Sequence, residues 1–142
     1  MQRLFLAIIL LAALFTVPAV ADETTDQIVS SREAAMKSDG HALHGAEHLT
    51  GDQAIAALQT VFDNYNKLPS LFPKGSLTDM SLAKPVIWDR FDQFTALFKL
   101  GAETAADGIV AAKAGDLERY KNDIRIIGTT CNDCHATFRA GP

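Results

Sequence analysis

The feature that most restricts how this sequence can fold is a regular apolar spacing near its C-terminal end. Apolar or cysteine side chains recur there at alternating steps of three and four residues: Leu117, Tyr120, Ile124, Ile127, Cys131, Cys134 and Phe138. This spacing places all seven on one face of an α-helix. Because an apolar helix face has to be buried against other elements, the pattern predicts a helical bundle with both cysteines turned toward its interior.

Three further helices are predicted earlier in the chain. Turn-forming residues separate these helices, which we place at about residues 25–49, 52–67 and 84–114. The loop at residues 68–83 contains the turn-forming residues Pro69, Pro73 and Gly75. Thr50 and Gln53 have the spacing of a capping box for the second helix, Pro85 suits the start of the third, and Asp116 is the expected cap of the fourth. No alternating pattern predicts a strand. The sequence therefore predicts an all-α protein, an antiparallel up-down-up-down four-helix bundle.

The third predicted helix changes character along its length. Its stripe is aromatic up to Phe98 and then consists of small residues, namely Gly101, Ala105, Gly108 and Ala112. Two interpretations are open at this point. The small residues allow a close approach of a neighbouring helix, or they leave free volume inside the bundle.

The first 21 residues have the layout of a secretory signal peptide. Arg3 precedes an apolar run at residues 4–15, Pro18 ends the run, and a small-x-small pattern ends at Ala21. The run is shorter than the roughly 20 apolar residues of a membrane-spanning helix. We therefore expect cleavage after Ala21, export to a bacterial periplasm, and one domain at residues 22–142 with no membrane span.

Composition excludes several classes of function. The chain carries 13 Lys and Arg against 17 Asp and Glu, a formal net charge of −4, which argues against a nucleic-acid binder. Two cysteines are too few for a disulfide scaffold. No nucleophile–base pair or nucleotide-binding loop is recognisable, so the sequence predicts a protein that is not an enzyme.

The chemistry of the chain is concentrated in Cys131-Asn132-Asp133-Cys134-His135. This is a C-x-x-C-H sequence, the attachment signal of c-type haem. On a helix, positions i, i+3 and i+4 share a face, so two thiols can reach the two vinyl groups at one porphyrin edge while the imidazole lies under the iron. A single motif predicts one covalent haem c, with His135 as the proximal iron ligand.

Other interpretations of the two cysteines remain open from the residues alone. They could form a disulfide in an oxidising compartment. They could also combine with His44 and His48 into a zinc site of a haem-free structural bundle. That arrangement requires the end of the first helix to meet the end of the fourth.

The chain resembles the class II c-type cytochromes, that is, the cytochrome c-prime family and its relatives of the cytochrome c-556 kind. The resemblance covers essentially all of the sequence after residue 21. It rests on four elements: Arg32-x3-Met36, Leu68-Pro69-x-Leu71-Phe72-Pro73, Lys84-Pro85-x-Ile87-Trp88, and Cys131-x2-Cys134-His135-x3-Arg139.

The resemblance implies roles for individual residues. Cys131 and Cys134 would be the thioether links and His135 the axial ligand. Arg139 would lie beside the proximal haem face, and Arg32 near the propionate edge, where a guanidinium suits a carboxylate.

In this family, the helix-one position that corresponds to Met36 faces the open side of the haem. Two functions are therefore compatible with the resemblance, depending on whether Met36 binds the iron. If the Met36 sulfur binds iron, the protein is an electron carrier, the function that we favour. If Met36 is only a steric gate, the iron is five-coordinate and binds nitric oxide or carbon monoxide. The partners implied are redox proteins or small diatomic gases, and a homodimer is compatible with the family.

Overall fold

The structure, a computed structural model, describes residues 24–141 and contains four long helices. They are α1 (Thr25–Leu43), α2 (Gly51–Lys67), α4 (Phe91–Ala114) and α5 (Leu117–Phe138), and a single turn, α3 (Val86–Asp89), precedes α4. Short 3-10 helices at Ala46–His48 and Leu68–Leu71 follow α1 and α2. The predicted four-helix bundle is confirmed. The predicted signal peptide at residues 1–21 lies outside the described part of the chain.

The first helix is shorter than predicted. It ends at Leu43, and Gly45 then takes a left-handed conformation with φ of 67° before the 3-10 turn begins. Glycine adopts this conformation without steric cost, and it commonly ends a helix in this way. The expectation of one helix up to residue 49 was therefore wrong.

The predicted caps have mixed outcomes. Thr50 is the N-cap of α2, but its side chain forms no capping hydrogen bond, so the expected capping box is absent there. A complete capping box occurs instead at α1, where Thr24 and Gln27 bond each other's backbone N–H. The Asp116 cap of α5 is confirmed, since its side chain accepts a hydrogen bond from the Arg119 N–H at 3.1 Å.

The third predicted helix is two helices. The backbone leaves helical geometry at Arg90, with φ of −129° and ψ of 39°, which separates α3 from α4. The Trp88 indole N–H donates to the Phe72 carbonyl at 3.0 Å and so fastens α3 to the loop after α2. Helical geometry is therefore interrupted between α3, which is anchored to this loop, and α4, which packs in the bundle.

The bundle has four seams, that is, lines along which neighbouring long helices meet, and three of them are closed by packing. Helix α2 packs along α4, α4 packs along α5, and α1 packs against α2, whereas α1 and α5 barely approach each other. Where α5 ends, the extended segment around Ala83 pairs with Arg139 in an isolated β-bridge. No helix in residues 24–141 is both long and apolar enough to cross a membrane.

The small residues of α4 serve close helix contact. A Cβ atom on Gly101 would overlap the Tyr65 ring of α2, and one on Gly108 would lie 2.5 Å from Cδ1 of Leu58. Both Tyr65 and Leu58 are buried core residues. Of the two interpretations of this stripe, the structure supports close approach of α2, so the stripe does not leave free volume.

This contact predicts opposite effects for two glycine substitutions. We expect Gly101→Ala to destabilise the protein by about 1–3 kcal/mol, because overpacking displaces the Tyr65 ring. Gly128→Ala in α5 is the control, since its Cβ would meet no atom within 4 Å. There, the higher helix propensity of alanine should stabilise the protein by about 0.5–1 kcal/mol. Urea denaturation of both variants tests the prediction, and a stabilised Gly101→Ala would contradict it.

Candidate functional site

The last turns of α5 carry the predicted attachment motif. Cys131 is half-buried, Cys134 is buried, and His135 is the next residue along the helix. Both cysteines belong to the apolar stripe of α5, which is why the fold turns them inward. The structure therefore places the motif at the end of the open seam between α1 and α5.

A cavity of about 630 Å³ occupies this seam, and we call it the main cavity. It lies between α1, the segment at residues 81–83 and the end of α5. Its walls include Phe72, Phe94 and Phe138. The volume is in the range of small-molecule and cofactor sites in proteins.

A smaller cavity of about 160 Å³ adjoins the main cavity. Met36, Cys134 and His135 line both, and Cys131 lines the smaller one. Arg32 and Arg139 line the main cavity. All the predicted site residues are thus brought to one place: Arg32, Met36, Cys131, Cys134, His135 and Arg139.

Arg32 is a buried cation that also holds a loop. Only 3% of the residue is exposed, and its guanidinium donates to the Leu71 and Ser76 carbonyls and to the hydroxyls of Ser76 and Ser81 at 2.6–3.3 Å. It also lies 4.5 Å from the centre of the Phe72 ring. All these partners are neutral, and burial lowers the pKa of Arg32. A buried positive charge with neutral partners at a cavity wall favours an anionic group in that cavity.

The two thiols are uncharged. Burial raises the pKa of both, that of Cys134 to about 11, although the Tyr65 hydroxyl at 3.0 Å from the Cys131 sulfur partly opposes the shift of Cys131. Tyr65 comes from α2 and is a buried core residue. The structure adds that its hydroxyl contacts the attachment motif.

The imidazole of His135 is held neutral. Partial burial and the nearby positive charge of Arg139 both lower the pKa of His135. A neutral imidazole is the form that binds a metal ion. The described site therefore offers two thiols, one neutral imidazole, one thioether and a buried cation around a largely apolar cavity, and this set of groups fits a haem c.

The zinc alternative is wrong. Tyr120, in the first turn of α5, donates to the Ala46 carbonyl at 2.8 Å, which places the end of α1 beside the start of α5. Cys131 lies eleven residues further along α5, about 16 Å by helical rise. His44 and His48 are thus at the opposite end of the bundle, and residues 24–141 contain no cluster of three or more His, Cys, Asp or Glu suited to a metal ion.

Sequence reasoning missed Asp39. It is 4% exposed and lines the smaller cavity, where one carboxylate oxygen accepts from the Asn64 amide at 2.6 Å and the other has no partner. Burial raises the pKa of Asp39 to about 7, and the Asn64 hydrogen bond opposes that shift. The available signal was its position three residues after Met36, on the same face of α1.

Asp39 should make stability depend on pH. An acid with a raised pKa in the folded state binds its proton more tightly there than in the unfolded state, so stability falls as pH rises from about 4 to about 7. We expect Asp39→Asn to match the wild type near pH 4 and to become progressively more stable than it up to pH 7. The exposed Asp63→Asn is the control. Urea denaturation across this pH range measures the effect, and a difference that does not change with pH would refute the explanation.

Comparisons with known proteins agree on one family. The family model described as Cytochrome C' matches residues 22–139, a match that begins directly after the predicted cleavage position. A cytochrome c-556 of Agrobacterium tumefaciens (strain B2A) is 34% identical over 119 residues, covering 78% of this chain and 95% of the relative. A cytochrome c' of Rhodopseudomonas palustris is 36% identical over 123 residues, covering 80% and 82%. The solved cytochrome c' of Thermochromatium tepidum superposes with a TM-score of 0.77 at 21% identity, covering 84% of this chain and all of that one.

Proposed function

This chain belongs to the cytochrome c' family, with haem c as its cofactor, and we propose that it is an exported electron carrier with His135 and Met36 as axial ligands. A bound haem c supplies a one-electron Fe(III)/Fe(II) couple. Cys131 and Cys134 would hold it covalently. Export is supported by the apolar segment at residues 1–21 and by the start of the family match immediately after it.

The observation that carries the proposal is the position of Met36. Met36 comes from α1 and His135 from α5, and both line the main and the smaller cavity. A group that fills the seam between these helices would thus have an imidazole on the α5 side and a thioether on the α1 side. His/Met ligation is the arrangement that raises the potential of c-type cytochromes.

The chain's own residues keep this arrangement fixed. Met36 is half-buried on α1, one turn after Arg32, whose four hydrogen bonds tie α1 to the loop at residues 71–81. A sulfur ligand held on a rigid helix does not have to move between oxidation states. A small structural change on electron transfer is what an electron carrier requires.

Arg32 contributes electrostatically. Its buried guanidinium donates its four terminal N–H groups to loop oxygens, so it would attract a haem propionate in the main cavity through its positive charge and its remaining Nε–H. The hydrogen-bond partners of Arg32 within residues 24–141 are all neutral, so a propionate would add an anion beside the guanidinium.

The gas-binding alternative receives no support from the small residues that follow Phe98, because α2 fills the volume beside Gly101 and Gly108. Gas binding is therefore the outcome that the following experiment would reveal if Met36 is not a ligand.

We expect Met36→Ala to change the haem from low-spin to high-spin. The reduction potential should fall by on the order of 0.1 V, within the ~0.8 V range that axial ligands control, because the thioether stabilises ferrous iron. Absorption and electron paramagnetic resonance spectra measure the spin state, and a redox titration measures the potential.

Met80→Ala is the matched control for this substitution. Met80 lies in the loop and is 61% exposed, so its loss should leave spin state and potential unchanged. If the unmutated protein is already high-spin in both oxidation states, or if Met36→Ala behaves like Met80→Ala, Met36 is not an iron ligand.

A further inference from the structure

Asp39 is a buried carboxyl group whose two oxygens have different surroundings. Its Oδ1 accepts a hydrogen bond from the Asn64 amide at 2.6 Å, and its Oδ2 has no hydrogen-bond partner within the described residues. The same amide donates to the Ala35 carbonyl at 3.4 Å, which fixes Asn64 as a donor toward α1. With Oδ1 engaged as an acceptor, Oδ2 is the atom of Asp39 that is free to carry a proton.

The smaller cavity joins Asp39 to the attachment motif. Asp39 lines this cavity together with Cys131, Cys134 and His135. Gly40 lines it too, and Gly40 is exposed, so the chain directly after Asp39 borders both the cavity and the solvent. A proton from the solvent therefore has a short path to Asp39, although the carboxyl group itself is only 4% exposed.

The groups that α4 and α2 direct at Asp39 do not change charge near neutral pH. From α4, the residues that line the smaller cavity are the apolar Leu97 and Phe98. From α2 come the Asn64 amide and the Tyr65 hydroxyl. Burial raises the pKa of Tyr65 far above its usual range, so this hydroxyl stays protonated.

The titratable groups of α5 would be consumed by the cofactor. Cys131 and Cys134 would be thioethers in the holoprotein, and a thioether has no ionisable proton. His135 would be bound to iron. Asp39 would thus be the buried group at the smaller cavity that is able to change its charge near neutral pH.

The position of Asp39 on α1 separates it from other charges of that helix. Asp39 comes seven residues after Arg32, about 10 Å by helical rise, and so lies away from the cation that would attract the propionates. Lys37 and His41, two residues to either side of Asp39, are exposed to solvent. Water screens these two side chains more strongly than it screens a buried carboxylate.

Reduction of a bound haem c would change the charge beside Asp39 by one unit. A nearby positive charge favours the carboxylate, and its loss favours the neutral acid. Ferric haem c has one more positive charge than ferrous haem c, so the pKa of Asp39 should be higher in the reduced protein. Burial already raises the pKa of Asp39 to about 7, which brings the change into the neutral range.

We propose that Asp39 binds one proton at Oδ2 when the haem iron is reduced and releases it when the iron is oxidised, so that electron transfer is coupled to proton transfer. In the balanced step, one electron from the redox partner converts Fe(III) to Fe(II), and one proton from the solvent converts the Asp39 carboxylate to the acid. No other bond forms or breaks. The inference rests on the proposed function only in requiring a haem in the main cavity.

The reduction potential of the holoprotein should therefore depend on pH. It is measured by spectroelectrochemical titration from about pH 5 to about pH 9, a range that includes the Asp39 transition. We expect proton binding to be about tenfold tighter in the reduced protein, which corresponds to a fall in potential of about 59 mV as pH rises through this range. A potential that stays constant over the range would overturn the proposal.

Asp39→Asn tests whether this residue is the source of the dependence. The variant keeps the size of the side chain and an oxygen that can accept from Asn64, but it cannot ionise. Its potential should stay at the higher, low-pH value of the wild type throughout. Asp63→Asn and His41→Gln, which replace exposed titratable residues, should retain the wild-type dependence. If Asp39→Asn retains that dependence, or if either control loses it, the proposal is wrong.

Two measurements do not need the Asp39 variant to fold. Asn64→Ala removes the hydrogen bond that lowers the pKa of Asp39, so the fall in potential should move to higher pH, and an unchanged or lower position would contradict the proposal. In redox-difference infrared spectra of the wild type near pH 7, reduction should produce the carbonyl stretch of a protonated carboxylic acid, and its absence would overturn the proposal. The spin state reports Met36 ligation separately, so failure of the proton coupling is distinguishable from failure of the proposed ligation.

Discussion

A four-helix bundle normally closes all four of its seams, and the seam between α1 and α5 is the one that this bundle leaves open. The other three are held by extensive packing, above all the contact of α2 with α4, where Gly101 and Gly108 let the Tyr65 and Leu58 side chains fill the space of a Cβ. Protein interiors are packed near crystal density, so free volume is found where neighbouring helices do not pack, here between α1 and α5. The main cavity, the motif on α5 and Met36 on α1 all depend on that separation.

Two buried ionisable side chains flank the open seam, and the free-energy cost of burying each is offset in a different way. Arg32 keeps its charge because several neutral oxygens of the loop solvate its guanidinium. Asp39 has the Asn64 amide on one oxygen only, so burial favours its neutral form. A cation is thus retained where haem propionates would lie, and this would stabilise a cofactor that carries its carboxylates at one edge.

Much of the site was predictable because it depends on local spacing. The three–four stripe of α5 and the motif within it identified the helix, its buried face and the three residues Cys131, Cys134 and His135. Arg32 and Met36 followed from the family resemblance, and the structure brings both to the same cavity.

What the sequence did not predict depends on tertiary contacts. The break at Arg90 accompanies the attachment of Trp88 to Phe72, which helical periodicity does not report. The end of α1 at Leu43 is the exception, since it follows from the left-handed conformation of Gly45. Whether the small residues of α4 meant contact or space depended on which side chains of α2 faced them. The unpartnered oxygen of Asp39 likewise exists only once α1, α2 and α5 are assembled.

The central claim is that Met36 occupies the sixth position of the haem iron opposite His135. Its most direct test is the absorption spectrum of the unmutated holoprotein, oxidised, reduced, and reduced under carbon monoxide. Sharp low-spin bands in both oxidation states that carbon monoxide leaves unmoved are the predicted result. Broad high-spin bands that shift when the gas is added would contradict the claim and show that Met36 leaves the iron open to ligands.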